Sequence, residues 1–420
     1  MKKIVTEPFD SKRIPPKQSL LLLPLFWAYS RIMTFGSRLK ISRKNMKGLK
    51  PPYIVLGTHH SMFDFYVTQL ALFPRRANYV SELEGFEAYG EWLYRQMGCL
   101  GTRKFINDFS LIRNIQNVMK RGGILVLYPE ARYANVGTSS EIPVSVGKLV
   151  KLLGVPLVTL NMQGNYLRSP IWNLKERRQA RLNATLEQLL TAEEGKASSV
   201  DEINAKITEA LSYDEYEYQL ENKMKISFPK RAEGLEMALY QCPVCQSEGT
   251  MKTGGSLIKC AHCSAEWEMN EYGQLVFDGT DGKFSHIPDW YEWERSFVEK
   301  LIDDDEYSLD AKVRIESLPN AVNFIDCGEG RLVHKAEGFY LTFKDYGEEQ
   351  EKTMFFGSDT LISIHTEYDY RGKGQCVTLS TQDNTYFIFP VESPQFFATK
   401  IQFATEYFYK KARGETLKLR

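Results

Sequence analysis

Short apolar runs separated by Gly and Pro dominate the first half of the chain. Tyr53-Ile54-Val55-Leu56, Ile124-Leu125-Val126-Leu127 and Leu157-Val158-Thr159-Leu160 are each four residues long and uniformly apolar or β-branched. Runs without alternation predict strands buried on both faces, as in a parallel sheet. Phe63 to Phe73 has helical character directly after the first strand. From Leu182 to Lys225 the pattern turns polar and helical, with Leu182, Leu186, Leu189 and Leu190 at helix-like spacing, then Ile203, Ile207 and Leu211. The run Tyr213–Tyr218 reads as a cap or surface element.

The pattern changes after residue 270. Phe339–Phe343, Thr360–His365, Cys376–Leu379 and Tyr386–Phe389 read as strands, the last two forming a hairpin about Asp383-Asn384. A terminal helix is predicted from Ser393, with Phe396, Phe397, Ile401, Ala404, Tyr407 and Phe408 on one side. Antiparallel strands closed by one amphipathic helix look like a pleckstrin-homology-type barrel. The aromatic and acidic stretch Asp289–Trp293 is expected to dock this domain onto a neighbour.

At 420 residues the chain has room for two or three domains, and 53 basic residues balance 53 acidic ones. A local excess therefore carries meaning. The apolar stretch Leu20–Tyr29 is preceded by Lys12, Arg13 and Lys17 and followed by Arg38, Lys40, Arg43, Lys44, Lys47 and Lys50. It contains Pro24 and falls short of the roughly 20 apolar residues that span a bilayer. It is read as a monotopic anchor in one leaflet, on the cytoplasmic face, with basic residues against anionic head groups. Nucleic acid is a poor partner for such a run, because no reader motif accompanies it.

His59 and Asp64 carry the candidate chemistry. An imidazole and a carboxylate five positions apart form a base and its orienting partner: the carboxylate takes one ring N–H, and the other nitrogen faces a substrate hydroxyl. The pair follows a strand, where open α/β sheets place their ligands. His60 is the competing base, with no carboxylate at matching spacing. Ser61 lacks a Gly-x-Ser-x-Gly setting and reads as a helix cap. Arg103 and Arg132 each arrive after a Gly-punctuated or buried run, and arginine binds phosphate in a bidentate fork. Cys99 reads as core, and Lys104 as solvated or as a further attraction for phosphate.

Four ordered blocks resemble the glycerolipid acyltransferase family, which contains the 1-acylglycerol-3-phosphate acyltransferases. His59, Ser61 and Asp64 match a His-x4-Asp motif; Gly98 and Arg103 match Gly-x4-Arg; Pro129 and Glu130 match part of Pro-Glu-Gly-Thr-Arg; Val155 and Pro156 match a Val-Pro-aliphatic strand. The likeness covers roughly residues 50–180. Thr58 stands where Asn is common, Ala131 where Gly is common, and Arg132 comes one place early.

The resemblance implies an α/β catalytic domain with a mixed sheet flanked by helices. It implies acyl transfer from an acyl thioester, acyl-CoA or acyl-carrier protein, to a lysophospholipid hydroxyl. His59 would be general base and Asp64 its orienter, with Ser61, Arg103, Glu130 and Arg132 at the substrate. Glu130 would brace its loop or bind glycerol hydroxyls. Backbone N–H groups after Gly57 are the expected donors to the developing oxyanion. A non-catalytic lipid- or protein-binding adaptor that keeps the fold is the alternative.

Cys242-Pro243-Val244-Cys245 and Cys260-Ala261-His262-Cys263 are two C-x2-C knuckles separated by fourteen residues. This spacing predicts a structural zinc ribbon, with Gly254-Gly255 turning the hairpin between the knuckles. Iron takes the same ligands. The expected organisation is a membrane-associating segment over 1–50, an acyltransferase domain over 51–235, a zinc ribbon over 236–275 and a β-rich domain with a terminal helix over 276–420.

Overall fold

A computed structural model describes residues 4–279 and 284–414. The chain divides into two compact units. The first comprises Asp10–Thr102 and Asp108–Ile226; the second comprises Met1–Phe9, Arg103–Asn107 and Ser227–Arg420.

The first unit is built on a seven-stranded sheet. Its strands are β1 (Lys40–Lys44), β2 (Tyr53–Gly57), β3 (Asn78–Glu82), β4 (Cys99–Thr102), β5 (Ile124–Leu127), β6 (Leu157–Gln163) and β7 (Asn183–Leu190), in the order β1-β7-β6-β2-β5-β3-β4. From β6 through β2, β5 and β3 to β4 every pairing is parallel. β7 runs antiparallel to β6 and parallel to β1, so the sheet is mixed. Every residue of β2 is buried, as its uninterrupted apolar sequence requires.

Among the described residues ten α-helices accompany this sheet: α1 (Leu23–Met33), α2 (Phe63–Leu72), α3 (Leu83–Tyr89), α4 (Glu91–Gln96), α5 (Phe109–Lys120), α6 (Ser145–Leu153), α7 (Asn165–Arg168), α8 (Ala192–Ala197), α9 (Val200–Leu211) and α10 (Glu215–Glu221). Helices α5, α6 and α9 pack one face of the sheet, where Ile115, Val118, Val150, Ile203 and Ile207 meet Ile54, Leu56 and Leu125. The 3.6-residue spacing of Ile203, Ile207 and Leu211 thus becomes one buried stripe. Thr191 and Ser199 close capping boxes with Glu194 and Glu202, which fixes where α8 and α9 begin.

The segment read as helical from Leu182 opens instead with a strand. Residues of β7 find a partner strand on each side, and these ladders satisfy their backbone groups. Ala184 and Leu186 alternate inward along the pleat. The spacing of Leu186, Leu189 and Leu190 fits a helix locally, and pairing with sequence-distant strands overrides it.

The second unit contains a four-stranded antiparallel sheet and a curled seven-stranded antiparallel sheet. The small sheet is β8 (Met251–Gly254), β9 (Leu257–Cys260), β10 (Glu266–Met269) and β11 (Leu275–Phe277). Gly254 faces Leu257, so Gly255-Ser256 make the two-residue turn, one position later than read, and Gly255 takes the required positive φ of 61°. Helix α11 (Ile287–Asp303) follows; its Trp290 is buried against Trp267 and donates its indole N–H to Gln241 O at 2.9 Å.

The large sheet is β12 (Leu309–Ser317), β13 (Ile325–Lys335), β14 (Gly338–Lys344), β15 (Glu351–Gly357), β16 (His365–Glu367), β17 (Cys376–Ser380) and β18 (Thr385–Pro390), with α12 (Ala398–Ala412) last. Phe396 and Ile401 join its core beside Val313, Leu341 and Ile388. Two expectations shift here. The run from Thr360 is strand only over His365–Glu367, and the last helix begins at Ala398 rather than Ser393.

Candidate active site and candidate metal centre

The carboxyl ends of three neighbouring parallel strands converge in the first unit. β2 delivers His59 and Asp64, β5 delivers Tyr128 and Glu130, and β6 delivers Gly164 and Asn165. Parallel strands end together at one edge, so residues that follow them meet in space although they lie about a hundred positions apart in the chain.

Asp64 stands in the first turn of α2 and is 1% exposed. Its Oδ2 lies 3.1 Å from His59 Nδ1 and accepts the backbone N–H of His60 at 2.6 Å and of Ser61 at 3.0 Å. Its Oδ1 accepts from Asn165 Nδ2 at 2.7 Å. A buried carboxylate needs this number of donors, together with the favourable end of a helix dipole. An ionised carboxylate only accepts, so the neutral tautomer that suits this contact has its N–H at Nδ1, and Nε2 is turned away from Asp64.

The imidazole is also held from its faces. Its ring stacks on Tyr128 with centroids 4.5 Å apart and planes 13° apart, and Tyr133 lies 4.6 Å away. The backbone of His59 is tied at both ends: its N–H donates to Glu130 Oε1 at 3.1 Å, and its carbonyl accepts from Ala134 N–H at 3.0 Å. Its side chain retains 18% exposure.

Glu130 also accepts from Ser140 N–H at 2.8 Å and from the Tyr213 hydroxyl at 3.1 Å. Burial pushes its carboxyl up to about 7, against the pull of these donors and of Arg132. Glu130 therefore braces the loop that carries His59. Ala131 holds φ at 58°, the left-handed conformation that explains why glycine suits this position. Arg132 is 6% exposed, attracted by Glu130, and places Nε and Nη2 each 3.4 Å from Ser140 Oγ.

The first unit thus gathers His59, Ser61, Asp64, Glu130 and Arg132. Ser61 donates its hydroxyl to Asn165 O at 3.1 Å and accepts Phe63 N–H at 3.3 Å, but the residue at the N-cap of α2 is Met62, one position later than read. His60 is fully buried against Tyr213, and burial lowers its imidazole to about 4.

Arg103 belongs to the second unit. Its guanidinium is 7% exposed and donates to the carbonyls of Pro319 at 2.7 Å, Asp383 at 2.9 Å and Gln382 at 3.3 Å. Main-chain carbonyls hold it where a substrate phosphate was expected. Lys104, in the same unit, sets Nζ 3.0 Å from His365 Nε2.

The expected oxyanion donors are likewise engaged. Thr58 N–H donates to Leu160 O at 3.2 Å, His59 N–H to Glu130, and those of His60 and Ser61 to Asp64.

Sequence reasoning missed Asn165, Tyr128, Tyr213 and Glu215. The run Tyr213–Tyr218, read as surface, supplies two buried groups: Tyr213 on Glu130, and Glu215, whose carboxylate accepts Gly164 N–H at 2.7 Å and 3.0 Å. Burial raises Glu215 to about 8. Gly164 has φ 86°, and a Cβ there would lie 2.0 Å from Arg181 O, so only glycine fits the turn that presents Asn165.

In the second unit the thiols of Cys242, Cys245, Cys260 and Cys263 all lie within 4.8 Å of one another and can hold a metal ion. Cys242 and Cys263 are 3.7 Å apart, as are Cys245 and Cys260. A tetrahedral ion about 2.3 Å from each sulfur sets the sulfurs about 3.8 Å apart, whereas a disulfide needs about 2.05 Å. The residue after each knuckle, Gln246 and Ser264, has φ of 61° and 64°, so the two knuckles share one turn geometry.

No family model matches the chain, and no curated protein matches it in sequence. Among solved structures it is similar to the 1-acyl-sn-glycerophosphate (LPA) acyltransferase PlsC from Thermotoga maritima. The identity is 13% and the TM-score 0.39, over 45% of this chain and 77% of that one.

Proposed function

We propose that this protein is an acyltransferase, moving a fatty acyl group from acyl-CoA or acyl-carrier protein to a hydroxyl of a lysophospholipid such as 1-acylglycerol-3-phosphate. The observation that carries this reading is the 3.1 Å contact between His59 Nδ1 and Asp64 Oδ2 at the carboxyl end of a parallel strand. His59 Nε2 takes the proton of the acceptor hydroxyl as its oxygen bonds to the thioester carbonyl carbon. The C–S bond then breaks, and the leaving thiolate recovers the proton from the imidazolium. Asp64 holds the tautomer and stabilises that imidazolium. General-base help of this kind is worth about 10²–10⁴-fold. Glu130, Asn165 and Tyr128 position the pair. Neither Arg103 nor Arg132 is assigned to the acceptor phosphate, because protein groups already engage both.

The four cysteines are read as a structural zinc site: four thiolates fill a tetrahedron and leave no open position for water. The lipid substrate fits a peripheral membrane enzyme. Among the described residues no helix is long and apolar enough to cross a membrane. Helix α1 nonetheless turns Leu25 and Ile32 outward, 63% and 69% exposed, beside exposed Leu21 and Phe35. Such a face suits the interface of one leaflet.

The engaged arginines and backbone donors favour one other reading, a non-catalytic lipid- or protein-binding adaptor. Transfer of a labelled acyl group from thioester to lysophosphatidic acid and a panel of other lysolipids, with wild type and His59→Ala, separates the two. Product from wild type alone is expected. Product from both proteins removes His59 as base, and silence from folded wild type across the panel leaves the adaptor.

A further inference from the structure

A cavity of about 290 Å³ in the first unit is lined by Arg38, Lys40, Arg181, Asn183, Tyr218, Asn222 and Met224. Three of these side chains are cationic, and none is acidic. Neither Arg38, Lys40 nor Arg181 has an ion-pair partner among the described residues. The fold itself brings them together. Lys40 opens β1 and pairs in register with Asn183 of β7, two residues beyond Arg181, while α10 supplies Tyr218. Tyr218 accepts a hydrogen bond from Asn183 Nδ2, which leaves its own O–H to donate.

We propose that this cleft binds the phosphate of an anionic phospholipid headgroup. Two guanidiniums, an ammonium and a phenol offer the donors such a phosphate takes, and arginine matches its oxygens in a fork. Lipid is the source favoured over a free phosphate because of what precedes Arg38 in the chain. Beyond the outward apolar face of α1, Phe35 in the following turn is 84% exposed and lies three residues before Arg38. A helix lying in the acyl–headgroup boundary would bring the cleft to phosphate level. The proposal rests on the membrane association read above and adds a defined headgroup site to it.

The test is sedimentation of the full chain with vesicles of phosphatidylcholine alone or with phosphatidic acid. Wild type is compared with Arg38→Gln/Arg181→Gln and with Lys47→Gln/Lys50→Gln, which removes equal charge from the adjoining run and leaves the cleft intact. One basic side chain near an anionic surface is worth about fivefold, about 1 kcal/mol. Two charges lost anywhere near the surface therefore cost roughly 25-fold, and the cleft variant should lose clearly more than that in partitioning onto phosphatidic acid vesicles and little onto neutral ones. The charge-matched variant should lose less. Equal losses would mean diffuse charge and overturn the site.

Two controls separate this proposal from the membrane reading. Leu25→Ser/Ile32→Ser should abolish binding to neutral vesicles. Calorimetric titration with inorganic phosphate should show heat that the cleft variant lacks and the α1 variant keeps. Phosphate binding without any preference for phosphatidic acid would reassign the cleft to a soluble phosphate and overturn the lipid. Failure of wild type to bind any vesicle would remove the membrane reading and the headgroup assignment together. A cleft that takes up neither phosphate nor vesicles is no anion site.

Discussion

Gly57 and Tyr128 are in contact through a missing atom. A Cβ on Gly57 would stand 2.8 Å from Cε1 of Tyr128, the ring stacked on His59. Gly57→Ala should therefore push Tyr128 toward the imidazole. A displacement near 1 Å at a reacting group can cost about 10²-fold in rate. Turnover by the variant should be slower by roughly one to two orders of magnitude, as such a displacement implies, with the melting temperature changed by only a few degrees. An unchanged turnover rate would show that the stack does not position His59.

Asn165 acts on His59 through Asp64. Asn165→Ala removes the donor to Oδ1 and leaves one side of a buried carboxylate without its partner. Expected is a kcat reduced about tenfold with KM for both substrates unchanged, as for a lost interaction worth about 1.4 kcal/mol in the transition state alone. A rise in KM without a fall in kcat would place Asn165 on substrate instead.

Arg103 tests the difference between a substrate ligand and a structural clamp. Arg103→Ala removes the donor to the carbonyls of Gln382 and Asp383 and one of the two donors to Pro319 O, which keeps Phe9 N–H. Each lost hydrogen bond from a charged donor costs about 1.5–3 kcal/mol. Calorimetry should show a melting temperature lower by several degrees. A phosphate ligand would instead raise acceptor KM and leave stability in place.

Burial gives the first unit a pH dependence of defined sign. Glu130 and Glu215 are raised from 4.5 to about 7 and about 8. Unfolding at pH 6 releases protons that the folded carboxyls keep, so stability is full below about pH 4.5 and declines as pH rises through 7 and 8. Asp64, Arg132, Tyr213 and Asp214 are the charged or ionisable neighbours that contribute. Glu215→Gln should keep an acceptor for Gly164 N–H and flatten the decline. Melting curves between pH 5 and 8.5 (roughly the window these shifts define) should diverge as pH rises toward 8, the wild type losing more than the variant, and run parallel above that.

The cysteine cluster predicts one metal per chain. Elemental analysis should find zinc at unit stoichiometry, and X-ray absorption a shell of four sulfurs near 2.3 Å. Cys260→Ser or exhaustive chelation should lower the melting temperature of the second unit. On the proposed reading, acyl transfer by metal-free protein that stays folded should persist, since no step is assigned to the metal.

The elements around the site were legible where sequence determines structure locally. Tyr53–Leu56 could only be a buried strand, and the C-x2-C knuckles carry their spacing in the open. His59 and Asp64 were legible because their bond closes within one turn. Asn165, Tyr213 and Glu215 were not. Each acts on a partner about fifty to a hundred residues away, through polar contacts with no periodicity. The surroundings of Arg103 were hidden for a related reason: only the fold reveals that carbonyls 216 and 280 residues later take its donors.

Strand β1 has a consequence in time. Its one sheet neighbour among the described residues is β7, and Lys40 pairs with Asn183, 143 positions later by subtraction. At about 5–20 residues per second, roughly 7–30 s of synthesis separate the two. Throughout that interval α1 has left the ribosome with its apolar face outward and the strand behind it unpaired. The edge of the seven-stranded sheet therefore closes only after Asn183 has been made, and the apolar face of α1 precedes the strand that pins its neighbour.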